Sequence, residues 1–264
     1  MLEIIKNIIR SAQSNEEKLH LTREFLQNVI LKILSENNGF LSMAFIGGTA
    51  LRILFGVKRY SEDLDFSLHD KSKYDFIKIL EKIKKELELM NFQVELKYKQ
   101  KTVDSCFISF SNLLYLLGIS MIPSQKLSIK LEIDTNPPSG YFMQTTILKN
   151  EFMFSVKHYD LPSLMAGKLH AVFCRKFVKG RDYYDLFWYL QQKVKPNFVL
   201  FNNALQQTEK KFIVVNELNW KKLLLEKLEK VDFKYIQNDI ENFLIYSAEK
   251  RLLCLEEFKK LIEK

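Results

Sequence analysis

Asp63 and Asp65, separated by one residue, follow Gly47-Gly48-Thr49 after a short intervening stretch. Carboxylates two apart on a strand share one face. Two such charges repel unless something positive lies between them. A hard divalent cation such as Mg²⁺, held by carboxylates together with substrate phosphate oxygens, supplies that charge. Two glycines let the backbone approach a ligand closely, and the N–H groups that open the next helix favour phosphate. Gly-Gly-Thr by itself also describes a tight turn with no ligand, and one Asp-x-Asp also describes a solvated strand face. The order carries more than the parts: apolar strand, glycine turn, short helix and acidic strand all fall within Phe45–Leu68.

Further charged residues recur downstream. Glu132 and Asp134 alternate with Leu131 and Ile133, so both acids share a strand face, with Lys130 two residues earlier. Lys168 lies among the inward-packing residues Met165, Leu169, Val172 and Phe173, at a core-facing edge. That placement suits a phosphate contact by an ammonium point charge and equally suits a snorkelling lysine. Asp182 and Asp185 sit three apart near a helix start, where negative charge is favoured. Arg181 adjoins them, and Lys176 and Lys179 add positive charge.

The elements that must position these residues are legible in the periodicity. Residues 1–38 read as helices, with Leu21, Phe25, Val29 and Leu34 near one face. Residues 40–46 read as a buried strand and 49–56 as a helix closed by Gly56. The segment 64–68 alternates as a strand, and 74–90 is an amphipathic helix. Strand candidates follow at 92–100, 105–114 and 126–136, and the stretch 146–160 adds one strand or a pair. From Leu161 the pattern is helical to Lys264. Strands followed by helices predict an α+β chain, with a sheet domain over 1–160 and a helical domain over 161–264.

Composition bounds the function class. The chain has 264 residues and a formal net charge of +8, with a sequence pI near 9.1. A basic balance suits a polyanionic partner, and a Lys-rich solvated surface would give the same number. Three dispersed cysteines, Cys106, Cys174 and Cys254, have no metal-ligand spacing and read as reduced thiols of a cytoplasmic chain. The four histidines form no zinc pattern. No apolar run approaches the ~20 residues that span a bilayer, and the N-terminus lacks a signal-peptide core.

The stretch Gly47-Gly48-Thr49 to Arg59-Tyr60-Ser61-Glu62-Asp63-Leu64-Asp65-Phe66 resembles the first motif of the nucleotidyltransferase fold, hG[GS] followed by h[DE]h[DE]h. More narrowly it is similar to the AbiEii/AbiGii toxin family of bacterial nucleotidyltransferases. Lys168-Leu169-x-Ala171 and Arg181-Asp182-x-x-Asp185-Leu186 extend the resemblance, which covers roughly residues 40–190. It implies a nucleotidyltransferase-fold mixed sheet with flanking helices, followed by a helical domain. It implies that Asp63 and Asp65 hold two Mg²⁺ ions with a third carboxylate, Glu132, Asp134 being the runner-up. It further implies that Gly47, Gly48, Thr49, Arg59 and Ser61 bind the nucleotide, that Lys168 contacts its phosphates, and that Asp182 is catalytic or structural. The activity implied is that of a toxin in a toxin–antitoxin system. It would move NMP from an NTP to an RNA acceptor, the tRNA 3′ end in relatives, opposed by a cognate antitoxin. A protein or antibiotic acceptor, or a non-catalytic nucleotide-binding module, is the alternative. The basic charge disfavours a pocket for cationic antibiotics, and the intact acids disfavour the module.

Overall fold

The computed structural model describes residues 1–209 and 213–263. The chain divides into two compact units. The first comprises Met1–Ala50, Tyr60–Asn136 and Thr145–His158; the second comprises Leu51–Arg59, Pro137–Gln144 and Tyr159–Lys264.

Helices α1 (Leu2–Ile9) and α2 (Asn15–Glu36) open the first unit. Ser14 caps α2 by accepting from the Glu17 N–H, the arrangement a serine before a helix favours. Strand β1 (Met43–Ile46) runs into helix α3 (Gly47–Phe55), and β2 (Leu64–Leu68) follows. Then come α4 (Phe76–Leu89), β3 (Val94–Lys99), β4 (Val103–Phe110), the short α5 (Leu113–Leu116) and β5 (Leu127–Asp134). Two last strands, β6 (Met143–Lys149) and β7 (Met153–Tyr159), complete the sheet.

The seven strands lie in the order β3-β4-β5-β2-β1-β7-β6. The sheet is mixed: β1 pairs antiparallel with β2 and parallel with β7, β2 runs parallel to β5, and β5-β4-β3 is an antiparallel meander. One face is apolar and closed. It carries Leu64 and Phe66 of β2, Leu127, Ile129, Leu131 and Ile133 of β5, and Cys106, Ile108 and Phe110 of β4, all buried. Helix α4 turns Phe76, Leu80, Ile83 and Leu87 inward. The opposite face bears the alternating polar residues, which is the period-2 pattern that makes half-buried strands readable.

Two local expectations are corrected. The strand expected over 105–114 ends at Phe110, because Asn112 adopts a left-handed conformation (φ 60) and starts α5; Asn tolerates that region better than most residues. The strand expected from residue 40 starts at Met43, because residues Gly39–Leu41 form a 3₁₀ turn. Of the two arrangements expected over 146–160, one strand or a pair, the structure has the pair.

The second unit contains α6 (Leu161–Cys174), α7 (Gly180–Gln191), α8 (Phe198–Thr208), α9 (Trp220–Leu228), α10 (Phe233–Ile240) and α11 (Leu255–Glu263). Asp160 caps α6, accepting from the Ser163 N–H at 2.9 Å, and Pro162 sits in its first turn. Phe187 meets Phe258 edge-to-face at 5.2 Å, and Phe173 meets Phe201 at 5.5 Å. Among the described residues no helix is long and apolar enough to cross a membrane.

Candidate active site

The acidic site of the first unit is built where β1, α3, β2 and β5 meet. Asp65 has two neighbours in the sheet: Ile46, the last residue of β1, and Glu132 on the parallel strand β5. Cα partners on adjacent strands project to the same face, so register alone sets Asp65 and Glu132 side by side. Asp134 pairs instead with Ser67, farther along the strands, and accepts from the Asn136 N–H at 2.9 Å. Asp63 lies one residue before β2 begins. Among the described residues no three His, Cys, Asp or Glu side chains are gathered as a ready-made metal cage. The donors at hand are nonetheless all carboxylate oxygens, the ligand type that Mg²⁺ takes. Glu132 is ion-paired with Lys130 at 2.7 Å, and both side chains are about one-third exposed.

Gly47 is required by its surroundings. Its φ of +79° belongs to the left-handed region. A Cβ built there would come within 2.9 Å of the Asp65 Cβ and 3.0 Å of its carboxyl carbon, with the Oδ2 oxygen closer still. The Asp65 side chain therefore occupies the space that any other residue at 47 would claim. Gly48 follows in the first turn of α3, whose leading N–H groups lack intrahelical acceptors.

Thr49 ties the two halves of the motif. It is 1% exposed, and its hydroxyl bonds to Ser61 Oγ at 2.8 Å and to the carbonyl of Asp63. Ser61 in turn accepts, through its carbonyl, from the Gln27 side chain at 3.2 Å. These bonds fix the loop that delivers Asp63.

The second unit holds a separate charge network. Arg59, 1% exposed, donates from Nε and a terminal nitrogen to the two oxygens of Asp185, both at 2.6 Å. Such bidentate pairs are among the stronger side-chain contacts. Lys168 Nζ lies 2.8 Å from Asp185 Oδ2 and 2.8 Å from Asp182 Oδ1, and Arg175 donates to the other oxygen of Asp182. Three cations thus face two carboxylates. Burial alone would raise the Asp182 pKa, but Lys168, Arg175 and Arg59 outweigh it and hold the carboxyl below its usual range. Burial pulls the Lys168 and Arg59 pKa values down, and the carboxylates overcome this in both, so each stays charged.

The sequence-predicted residues therefore fall into two groups. Gly47, Gly48, Thr49, Ser61, Asp63, Asp65 and Glu132 lie together in the first unit, and Arg59, Lys168, Asp182 and Asp185 lie together in the second. Neither the Arg59 guanidinium nor the Thr49 hydroxyl faces solvent. Sequence reasoning missed two members. Arg175 carries no motif signature of its own, yet it closes the network through Asp182. Asp239 accepts from the Gly180 N–H at 2.7 Å, which caps α7 from 59 residues away and leaves no local signature. Cys106 is buried and its thiol is pushed up to about 11 by burial, so it is unreactive.

A family model described as nucleotidyl transferase AbiEii toxin, type IV toxin–antitoxin system, matches residues 29–262. The chain belongs to the AbiEii family. Like that family it is a nucleotidyltransferase, and the family is described as the toxin of a type IV toxin–antitoxin system. Two Helicobacter pylori crystal structures resemble it. One is of a candidate nucleotidyltransferase, 20% identical with a TM-score of 0.52, spanning 92% of this chain and 90% of the other. The other is of JHP933, 18% identical with a TM-score of 0.50, spanning 92% and 88%. At such identities they establish the AbiEii chain's fold. Among curated proteins none matches the sequence.

Proposed function

We propose that this AbiEii-family chain transfers NMP from an NTP to an RNA acceptor, the tRNA 3′ end being the expected target. The acceptor hydroxyl oxygen bonds to the α-phosphorus, the bond to the β-phosphate bridging oxygen breaks, and pyrophosphate leaves. The observation that carries this reading is the pairing of Asp65 with Glu132 across parallel strands, beside a glycine whose missing side chain makes room for Asp65. Asp63, Asp65 and Glu132 are the residues that would hold a hard divalent cation. When bound there, such a cation neutralises the triphosphate and favours ionisation of the attacking hydroxyl.

The remaining roles fall to the chain's own groups. The glycine turn and the first N–H groups of α3 offer donors to phosphate oxygens. Thr49 and Ser61 act by positioning Asp63. Arg59 clamps Asp185 and anchors the chain four residues ahead of Asp63 in sequence. Lys168 has three N–H donors; with two directed at Asp182 and Asp185 and a surplus positive charge in its network, the third suits a phosphate oxygen. A cognate antitoxin follows from the family's type IV assignment.

Incubation with total tRNA and each labelled NTP in turn tests the reading. Label on RNA that depends on a divalent cation supports it; label on protein alone, or none, overturns it.

A further inference from the structure

On the polar face of the sheet, the row next to the Asp65–Glu132 pair holds an aromatic residue where a polar one would be expected. Phe107, mid-strand in β4, is 45% exposed. Its Cα partners are Lys97 on β3 and Lys130 on β5. The Lys130 ammonium sits 5.9 Å from the centre of its ring, within cation–π reach, and the same ammonium pairs with Glu132. One row over, Glu132 pairs through Ser105 with Lys99. Lys97, Lys99 and nearby Lys101 make no ion pair with a carboxylate among the described residues, whereas Glu95 on the same strand is already matched by Lys126 at 2.7 Å. The edge of this face therefore presents uncompensated positive charge around an open aromatic ring.

We infer that Phe107, with Lys97, Lys99 and Lys130, is a platform for a single-stranded end of the nucleic-acid acceptor. This inference rests on the RNA-acceptor reading proposed above. A half-exposed phenylalanine inside a strand gains little from folding, since it leaves apolar area in water. A base stacked on it would cover that area, and every base has a face that stacks. Lysines spaced along the neighbouring strand match a phosphate backbone beside a stacked base, the combination by which open sheet faces hold single strands. Lys130 connects the platform to the acidic pair, because it touches both the ring and Glu132. A chain end stacked on Phe107 thus lies one strand row from Glu132. The chemistry recognised is a nucleobase with flanking phosphates, independent of base identity.

The test uses the full-length chain, a labelled single-stranded RNA oligonucleotide of about ten nucleotides, and total tRNA. Phe107→Ala and Phe107→Leu should weaken binding between about fivefold and about a hundredfold, the range lost with one base–aromatic stack. Phe107→Trp should bind at least as well as wild type. Because Phe107→Leu keeps apolar bulk and only loses the ring, a merely structural role would leave it like wild type. Lys97→Glu with Lys99→Glu should weaken binding and flatten its salt dependence. In transfer assays the KM for RNA should rise in Phe107→Ala while the KM for NTP stays put. A rise in the NTP KM alone, or unchanged RNA binding in Phe107→Ala and Phe107→Leu, overturns the platform. If wild type labels RNA and these variants label it equally well, only the platform falls. If wild type labels no RNA, or labels a protein instead, the acceptor reading falls and the platform with it.

Discussion

At the scale of single residues, one atom decides the geometry at several positions. Gly47 combines a left-handed backbone with a missing Cβ whose space the Asp65 side chain fills. Gly47→Ala should cost about 1–2 kcal/mol in backbone strain alone and should displace the Asp65 carboxylate. The expected outcome is a lower urea midpoint together with a fall in transfer larger than the stability loss explains; wild-type transfer would contradict it. In the charge network, Asp185→Ala leaves the buried Arg59 without its bidentate partner and should cost about 3–5 kcal/mol, the usual result of breaking a buried pair from one side. Lys168→Met leaves Arg59 and Arg175 facing Asp185 and Asp182, one cation to each carboxylate, so its stability cost should be smaller. Its signature should be a raised KM for NTP, measured in the transfer assay. A large stability loss with an unchanged NTP KM would make Lys168 purely structural.

At the scale of elements, the groups of the candidate site are brought together by strand register and by one threonine. Thr49→Val keeps the shape of the side chain but removes the hydroxyl that bonds Ser61 and the Asp63 carbonyl. Leaving buried acceptors unpaired costs about 1–3 kcal/mol, and the loop carrying Asp63 should loosen, with transfer falling while RNA binding persists. The network between α6 and α7 predicts an acid limit. Since the folded-state pKa of Asp182 lies below its ordinary value near 3.9, the stability it contributes is present above that value. It is lost as pH falls through the lower, folded-state value. Unfolding followed by circular dichroism should show this loss below about pH 4, and Asp182→Asn should reduce it. Much of this was legible in the sequence. The alternation of Leu127 to Asp134 marks β5 and puts Glu132 and Asp134 on one face, and the Gly-Gly-Thr to Asp-x-Asp spacing marks the turn. Which of Glu132 and Asp134 sits opposite Asp65 was not legible, because register between strands distant in the chain has no local signal. The burial of Arg59 was hidden for the same reason: its partner Asp185 lies 126 residues away.

At the scale of the whole molecule, the formal charge of +8 acts on association. RNA binding should weaken steeply with salt, with a slope near −0.7 per neutralised phosphate on single strands and near −0.9 on duplexes. Lys176 and Lys179, on the loop between α6 and α7, are a second place where reversal to Glu should flatten that slope without abolishing NTP binding. A flat salt dependence in wild type would point to a protein or small-molecule acceptor instead. In the proposed reaction Asp65, set against Gly47 and beside Glu132, carries nucleotide transfer to RNA. The most direct measurement is transfer of α-phosphate label from each NTP to total tRNA by wild type and by Asp65→Asn, a variant that keeps the size of the side chain and removes its charge. Wild type should give labelled RNA with release of pyrophosphate, and the variant should still fold and lose at least about a hundredfold, or roughly 2.7 kcal/mol. Equal labelling by the two proteins, or RNA left unlabelled by wild type with every NTP, would contradict it.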